Sequence, residues 1–376
     1  MTKLKNQMTV VSDSPIFIVG ASRSGTSLMQ AILNGHPDIQ TSGETHYFDH
    51  LRIEMKGREQ QALSANDLQR CEDYFLALSH RPYGHSGDPE KGRIQREELR
   101  QAAHSVGEGA DAYFEGYCRL KAFKARKARW GEKTPRHVFR ITEILERYPK
   151  AKVICMVRDP RAIIASYREI ASTQAIRVHN SGFDFERDPE HLPAIKRDRR
   201  RVNKSYNILI HCLLWRGVIR AAWRAQQRFD KSRVYLQRYE DIVESPKKSV
   251  TDLLNWLSLD FSPTMLDVPI FNSSFSAFNR HGGISQNSVQ RWRKKLSATE
   301  IGEIQTVCGK LMKQSGYDID PVRTPFAALG FHCLGLPLTV TRAALANRDR
   351  IANVPGYIWN RLRFSVGSWP PLTRSK

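Results

Sequence analysis

The stretch that most constrains this chain is residues 15–33, PIFIVGASRSGTSLMQAIL. Ile16, Phe17, Ile18 and Val19 form an apolar run ending in glycine, the pattern of a strand buried on both faces that feeds a tight turn. Residues 27–33 follow as an amphipathic helix, with Leu28, Met29, Ile32 and Leu33 on its apolar side. A strand, a glycine-bounded loop and a helix start aim successive backbone N–H groups and the positive end of the helix dipole at one spot. This reads as an anion site. The plainer alternative is a strand-to-helix turn whose glycines serve geometry alone.

The spacing is that of a phosphate loop: Gly20, four residues, Gly25, then Thr26 and Ser27. The nucleotide-hydrolase version needs lysine directly after the second glycine, and here Thr26 occupies that position. The cation has moved inside the loop, to Arg23, whose guanidinium grips an oxyanion in a two-pronged way. Thr26 and Ser27 add hydroxyl donors. Arg23, Ser24, Gly25, Thr26 and Ser27 are therefore the candidate ligand-binding residues of this loop.

Residues 34–50 read NGHPDIQTSGETHYFDH. Asn34 and Gly35 stop the helix and Pro37 keeps it stopped. Ile39, Gln40 and Thr41 suggest a second short strand, leading into Gly43-Glu44-Thr45-His46. A carboxylate and an imidazole just past a strand end reach a ligand held at the first loop. Glu44 is placed to deprotonate an acceptor hydroxyl, with His46 as the competing base. A solvated glutamate and a packing histidine are the plainer readings. Residues 51–129 are helical in pattern and charged, punctuated by Gly, Pro and His between His80 and Gly92, without repeats.

The second informative stretch is residues 129–169, RWGEKTPRHVFRITEILERYPKAKVICMVRDPRAIIASYRE. Gly131-Glu132-Lys133-Thr134-Pro135 is expected to open a helix through Tyr148, with Val138, Ile141, Ile144 and Leu145 at helical spacing. Residues 153–157 are another buried strand. It ends in Arg158-Asp159-Pro160-Arg161, and a helix carrying Ile163, Ile164 and Ser166 follows. A strand ending in arginine, with a serine in the next helix's first turns, makes a second anion site. Hydrolases want a magnesium-binding aspartate at such a strand end, and Arg158 replaces it. Asp159-Pro160 reads as a turn and helix start.

Here a family resemblance becomes specific. GASRSGTS and VRDPRAIIASYR together resemble the two nucleotide-binding signatures of the sulfotransferases that use 3′-phosphoadenylyl sulfate (PAPS). The first resembles the 5′-phosphosulfate loop; the second resembles the 3′-phosphate signature, with Arg158 and Ser166 at its binding positions. HPDIQTSGET resembles the tyrosylprotein sulfotransferase segment carrying the catalytic glutamate. GETHYFDH resembles the corresponding heparan sulfotransferase segment, with Gly43 in place of its lysine. Both put the base at Glu44. GEKTP resembles the catalytic-lysine segment of the same relatives and implies that role for Lys133. RYEDIV, residues 238–243, and the stretch from 276 to 317 continue the resemblance, implying a basic loop over the nucleotide with Ser288 as a further contact. Arg291 and Lys294 are either phosphate contacts or decoration of a helix; Tyr239 either faces the site or packs.

The resemblance implies an α/β, P-loop-like three-layer fold with a central, mostly parallel sheet flanked by helices. It divides the chain into an N-terminal tail (1–14), a sulfotransferase domain (15–320, with 51–129 a helical insertion suited to acceptor binding) and a basic, apolar extension (321–376). It implies transfer of a sulfuryl group from PAPS to a hydroxyl on a sugar, glycolipid or tyrosine, with carbohydrate or glycolipid preferred. The by-product is 3′,5′-diphosphoadenosine. Glu44, Lys133 and Arg23 are the catalytic candidates, and no metal is required, because arginine and lysine neutralise the charge. Two other classes stay open: a phosphotransferase using the same loop for ATP, and a non-catalytic protein that binds anions or membranes.

Composition narrows the partners. With 59 Lys and Arg against 38 Asp and Glu, the net charge of +21 favours anionic ones. No nucleic-acid motif or stacking-and-basic pattern is present, so nucleic acid is not expected. The six cysteines are dispersed, as expected for reduced, mostly buried thiols. Residues 1–14 are too polar for a leader or anchor. The longest weakly polar run, residues 326–340, falls short of the roughly 20 residues that span a bilayer. A cytoplasmic protein, peripheral at the membrane's inner face if it meets a membrane, is the expectation. Residues 322–376 carry eight Lys and Arg against one acid, with Phe, Trp and Leu interleaved. Two short amphipathic pieces there either lie on an acidic lipid surface or pack on the domain or on another copy.

Overall fold

The computed structural model describes residues 11–80, 87–172, 179–180, 183–184, 200–204, 206–268, 284, 289–323, 325–346, 355–356 and 359. Its centre is a five-stranded sheet: β1 (Ile16–Gly20), β2 (Ile39–Ser42), β3 (Arg129–Lys133), β4 (Lys152–Val157) and β5 (Val234–Arg238). The spatial order is β2-β3-β1-β4-β5, and every pairing is parallel. Parallel neighbours require long crossovers, which helices supply. The fold is an α/β sheet with helical layers on both faces, as the strand–helix alternation predicts.

Strand periodicity distributes the core. Phe17 and Val19 face one layer, built with α2 (Ala65–His80), α3 (Arg96–Val106) and α4 (Gly109–Lys124); Ile16 and Ile18 face the other, with α1 (Thr26–Asn34). The Phe17 ring meets Phe48, Phe114, Trp130 and Tyr148 at centroid distances of 5.7 to 6.3 Å. Asp111 on α4 is completely buried. It accepts hydrogen bonds from Tyr47 Oη (2.7 Å), Arg52 Nε (3.0 Å) and Arg147 Nε (2.9 Å), which ties α4 to the segment beyond β2 and to α5 (Ile141–Arg147). A third cluster joins α6 (Pro160–Ser172), α7 (Ile208–Phe229) and α9 (Ala298–Gln314), while α8 (Pro246–Leu257) covers the Ile18 face. Cys71, Cys118, Cys155, Cys212 and Cys308 are buried free thiols and Cys333 is exposed. Burial pushes the Cys155 thiol up to about 12.

One expectation is overturned. Residues 131–135 do not open a helix: Arg129–Lys133 is a strand between β1 and β2, and α5 begins at Ile141 after a 3-10 turn over Pro135–Arg140. The segment RWGEK has no apolar run to announce a strand, and its burial comes from its neighbours. Gly131 is where the approach is closest: a Cβ there would lie 2.4 Å from the Ile16 carbonyl oxygen and 2.8 Å from Thr41 Cγ2.

Candidate active site

All five strands end on the same side of the sheet, and each delivers a chemically distinctive side chain there: Arg23 after β1, Glu44 after β2, Lys133 at the end of β3, Arg158 after β4 and Tyr239 after β5. The crevice beyond the carboxyl ends of the strands is where ligands bind in open parallel sheets.

The β1–α1 loop has the backbone of an anion cradle. Arg23 and Gly25 both lie in the left-handed region, at φ 71° and φ 91°. Helix α1 is capped by Gly25, which offers no side-chain cap, and its positive end faces the loop. Gly25 is required twice. Its φ suits glycine, and a Cβ would meet Tyr239 Cδ2 at 2.4 Å. Arg23 has a Cβ and is held in this unfavourable conformation by contacts from elsewhere. Arg158 Nη1 donates to the Arg23 carbonyl oxygen at 2.9 Å, and Arg23 Nε donates to Ser166 Oγ at 3.0 Å. The two anion signatures, read separately along the chain, form one site.

Tyr239 packs between the two signatures. Its ring lies against Gly25, and the Arg158 guanidinium stacks over it at 4.0 Å from the centroid. On the other side, Trp215 Nε1 donates to the Arg158 carbonyl at 2.9 Å. Asp159 caps α6, its Oδ1 accepting from Arg161 N at 2.8 Å, and clamps the Arg161 guanidinium. Arg291 lies 3.7 Å from Glu169, in a 3-10 turn Arg291–Lys294 whose Trp292 stacks under Arg161. Ser288 lies outside the described residues.

Beside the loop, Lys133 Nζ is 2.8 Å from Glu44 Oε1 and 3.5 Å from Ser27 Oγ. Glu44 Oε2 is 3.3 Å from His46 Nε2, so both candidate bases sit in one chain of contacts. Burial pushes the Glu44 carboxyl upward, but Lys133 and His46 outweigh it and hold the group well below the usual carboxylate range. Glu44 is ionised at neutral pH.

A buried network beneath Glu44 and Lys133 escapes sequence reasoning. Successive strand residues point to opposite faces, so Lys133 turns towards α1 while Glu132 turns into the aromatic layer. Glu132 is fully buried. Its Oε1 accepts from Thr45 N (3.1 Å), Thr45 Oγ1 (2.8 Å) and Thr134 Oγ1, and its Oε2 contacts His137 Nδ1 at 3.1 Å. Tyr74 Oη donates to the Thr45 carbonyl at 2.6 Å. Glu132 thus fixes the residue between Glu44 and His46. The available signal was a glutamate beside Lys133 with Thr134 and His137 following, legible only once the segment is known to be a strand.

The Sulfotransferase family model matches residues 15–263. Carbohydrate sulfotransferase 1 of Danio rerio is 26% identical over 352 residues, covering 80% of this chain and 77% of that protein. The omega-hydroxy-beta-dihydromenaquinone-9 sulfotransferase Stf3 of Mycobacterium tuberculosis is 26% identical over 331 residues, covering 82% and 77%. The match to carbohydrate sulfotransferase 4 of Mus musculus, at 27% identity, spans 44% of this chain and 41% of that protein. Among solved structures, the sulfotransferase domain of the Synechococcus PCC 7002 olefin synthase aligns over 82% of this chain and 97% of its own, at 18% identity and a TM-score of 0.48. The family match runs unbroken from the first strand past the last, and on it this chain belongs to the Sulfotransferase family.

Proposed function

We propose that this chain moves a sulfuryl group from PAPS to the hydroxyl of an acceptor, preferably a carbohydrate or glycolipid. The carrying observation is the position of Lys133, whose ammonium touches both the Glu44 carboxylate and the Ser27 hydroxyl of the anion loop. One cation links a candidate base to an oxyanion cradle, which sets a positive charge beside the place where charge develops in a group transfer.

The donor set fits a bis-anionic nucleotide. The loop from Arg23 to Ser27 contains cationic, hydroxyl and N–H donors and no carboxylate, and its helix start is uncapped. Arg23, Thr26, Ser27 and the first N–H groups of α1 hold the 5′-phosphosulfate. Arg158 and Ser166 hold the 3′-phosphate, the group that separates this nucleotide from ATP. Ser24, whose hydroxyl donates to the Ala21 carbonyl at 2.6 Å, shapes the loop rather than reaching a ligand. When bound, PAPS supplies the activated sulfuryl group.

Glu44 accepts the acceptor's proton. Its depressed pKa makes it a weak base while Lys133 is bound to it. Lys133, in reach of both Glu44 and Ser27, would share its charge with an anion held at the loop, which would leave Glu44 more basic. Lys133 meanwhile neutralises charge developing on the loop side. A carboxylate base suits a hydroxyl acceptor, and the names of the relatives span carbohydrate, dihydromenaquinone and tyrosine.

Calorimetric titration with 3′,5′-diphosphoadenosine, with 5′-AMP and ATP as controls, tests the donor. The expected result is tight binding that needs the 3′-phosphate and is lost in Arg158→Ala. Equal binding of ATP, or none of any nucleotide, overturns the donor assignment and favours phosphoryl transfer or a non-catalytic anion site.

A further inference from the structure

We infer that the helix pair α10 (Phe326–Leu334) and α11 (Leu336–Ala346) is a docking surface for an anionic lipid interface. The two helices meet at a bend of 50° and contain no buried residue. Phe326, Phe331, Leu334, Leu338 and Leu345 are 62–86% exposed. Of the outward residues of this pair, only Arg342 is charged. Packing on the domain, one of the two readings of this segment, therefore does not describe its apolar side: an ordinary surface helix turns that side inward. A contiguous exposed apolar face of this kind marks an interaction site.

The polar contacts lie on the opposite side and run along the whole pair. Pro325 packs on Gly302 at its start, His332 Nδ1 sits 3.1 Å from both oxygens of the buried Glu303 carboxylate, and Arg201 Nε donates to the Ala346 carbonyl at 3.2 Å. These tethers hold the pair flat against the protein. No single described helix is long and apolar enough to cross a membrane; only this bent pair passes by length and composition, and crossing would break its tethers. The geometry is that of helices lying in an interface.

Charge selects the occupant. Residues 322–376 carry eight Lys and Arg and one acid, on a chain of net charge +21. An acidic headgroup layer complements that excess, and the apolar side chains of the pair enter the layer. Each copy carries a net charge of +21, so two copies repel one another, which disfavours self-association through this face. The inference stands independently of the proposed donor and acceptor, and places the enzyme on the acidic face of a membrane.

Co-sedimentation of the full chain with vesicles of phosphatidylcholine plus phosphatidylglycerol, against vesicles of phosphatidylcholine alone, tests it. The expected result is binding to the anionic vesicles that weakens with salt. The triple variant Phe331→Ser, Leu334→Ser, Leu338→Ser should lower partitioning about tenfold or more with unchanged melting temperature. A second variant, Arg361→Ser with Arg363→Ser, removes two of the eight basic residues of 322–376, keeps Phe331, Leu334 and Leu338, and should weaken binding to anionic vesicles. Wild-type protein that ignores anionic vesicles, or a triple variant that binds as wild type does, overturns the inference. So does a stable dimer in light scattering that the triple variant dissolves, because the face would then serve self-association. None of these readouts uses turnover.

Discussion

The carboxyl end of the sheet and the C-terminal helix pair invert one another. At the sheet, charged groups are buried and satisfied: Glu132 is fully inaccessible yet contacts Thr45, Thr134 and His137, and Lys133 lies inside against Glu44. At the helix pair, phenylalanine and leucine are exposed while His332 and the Ala346 carbonyl make polar contacts with the domain. A buried charge without partners is costly, so the first arrangement persists only where the protein has a use for preorganised charge. Exposed apolar area costs less but is rarely left contiguous. Both depart from the rule of apolar inside and polar outside. In the proposed reading the first serves chemistry within the molecule and the second a surface outside it.

Substitutions sharpen that contrast, beginning with the largest effect. Glu44→Ala and Lys133→Ala should each lower sulfuryl-transfer turnover by about 10²–10⁴-fold in steady-state assays with saturating donor. Binding of 3′,5′-diphosphoadenosine should survive Glu44→Ala. Near-normal turnover in Glu44→Ala would move the base to His46. Phe17→Ala, deleting the ring at the centre of the aromatic layer, should cost about 3–5 kcal/mol in denaturant unfolding. Glu132→Gln keeps the shape but replaces one acceptor oxygen by a donor, and should cost about 1–3 kcal/mol. It should also reduce kcat more than nucleotide affinity, since it loosens Thr45 and not the β1–α1 loop. At the other extreme, Leu334→Ser should change stability by no more than about 0.5 kcal/mol, because the side chain has almost no contact to lose.

The same contrast has a pH signature. Glu44 titrates below its unfolded value of about 4.3. A group with a depressed native pKa stabilises the fold above its unfolded pKa and loses that contribution as pH falls through its native value. Lys133→Met removes the main attraction and leaves burial, which acts upward, so the acid limb of unfolding followed by circular dichroism should move to higher pH. An unchanged limb would mean that His46 alone holds the carboxylate ionised.

Much of this arrangement was legible along the chain. The apolar run before Gly20, the Gly-x4-Gly spacing and the strand ending at Arg158 depend on local pattern, which a strand's two-residue alternation and a helix's turn expose directly. Glu44 and Lys133 emerge as candidates from local motifs as well, and the structure brings them to 2.8 Å. What the residues themselves determined was a parallel α/β sheet with a glycine-bounded, arginine-bearing loop after its first strand and a strongly basic tail. Tertiary structure decided the rest, because it depends on partners distant in sequence. RWGEK becomes a strand only between β1 and β2, which sends Glu132 into the core and Lys133 to the loop. Arg23 and Ser166, 143 residues apart, unite two phosphate signatures. The C-terminal helices carry apolar residues all round, and Phe331, Leu334 and Leu338 are left exposed while His332 and the Ala346 carbonyl meet partners on the domain.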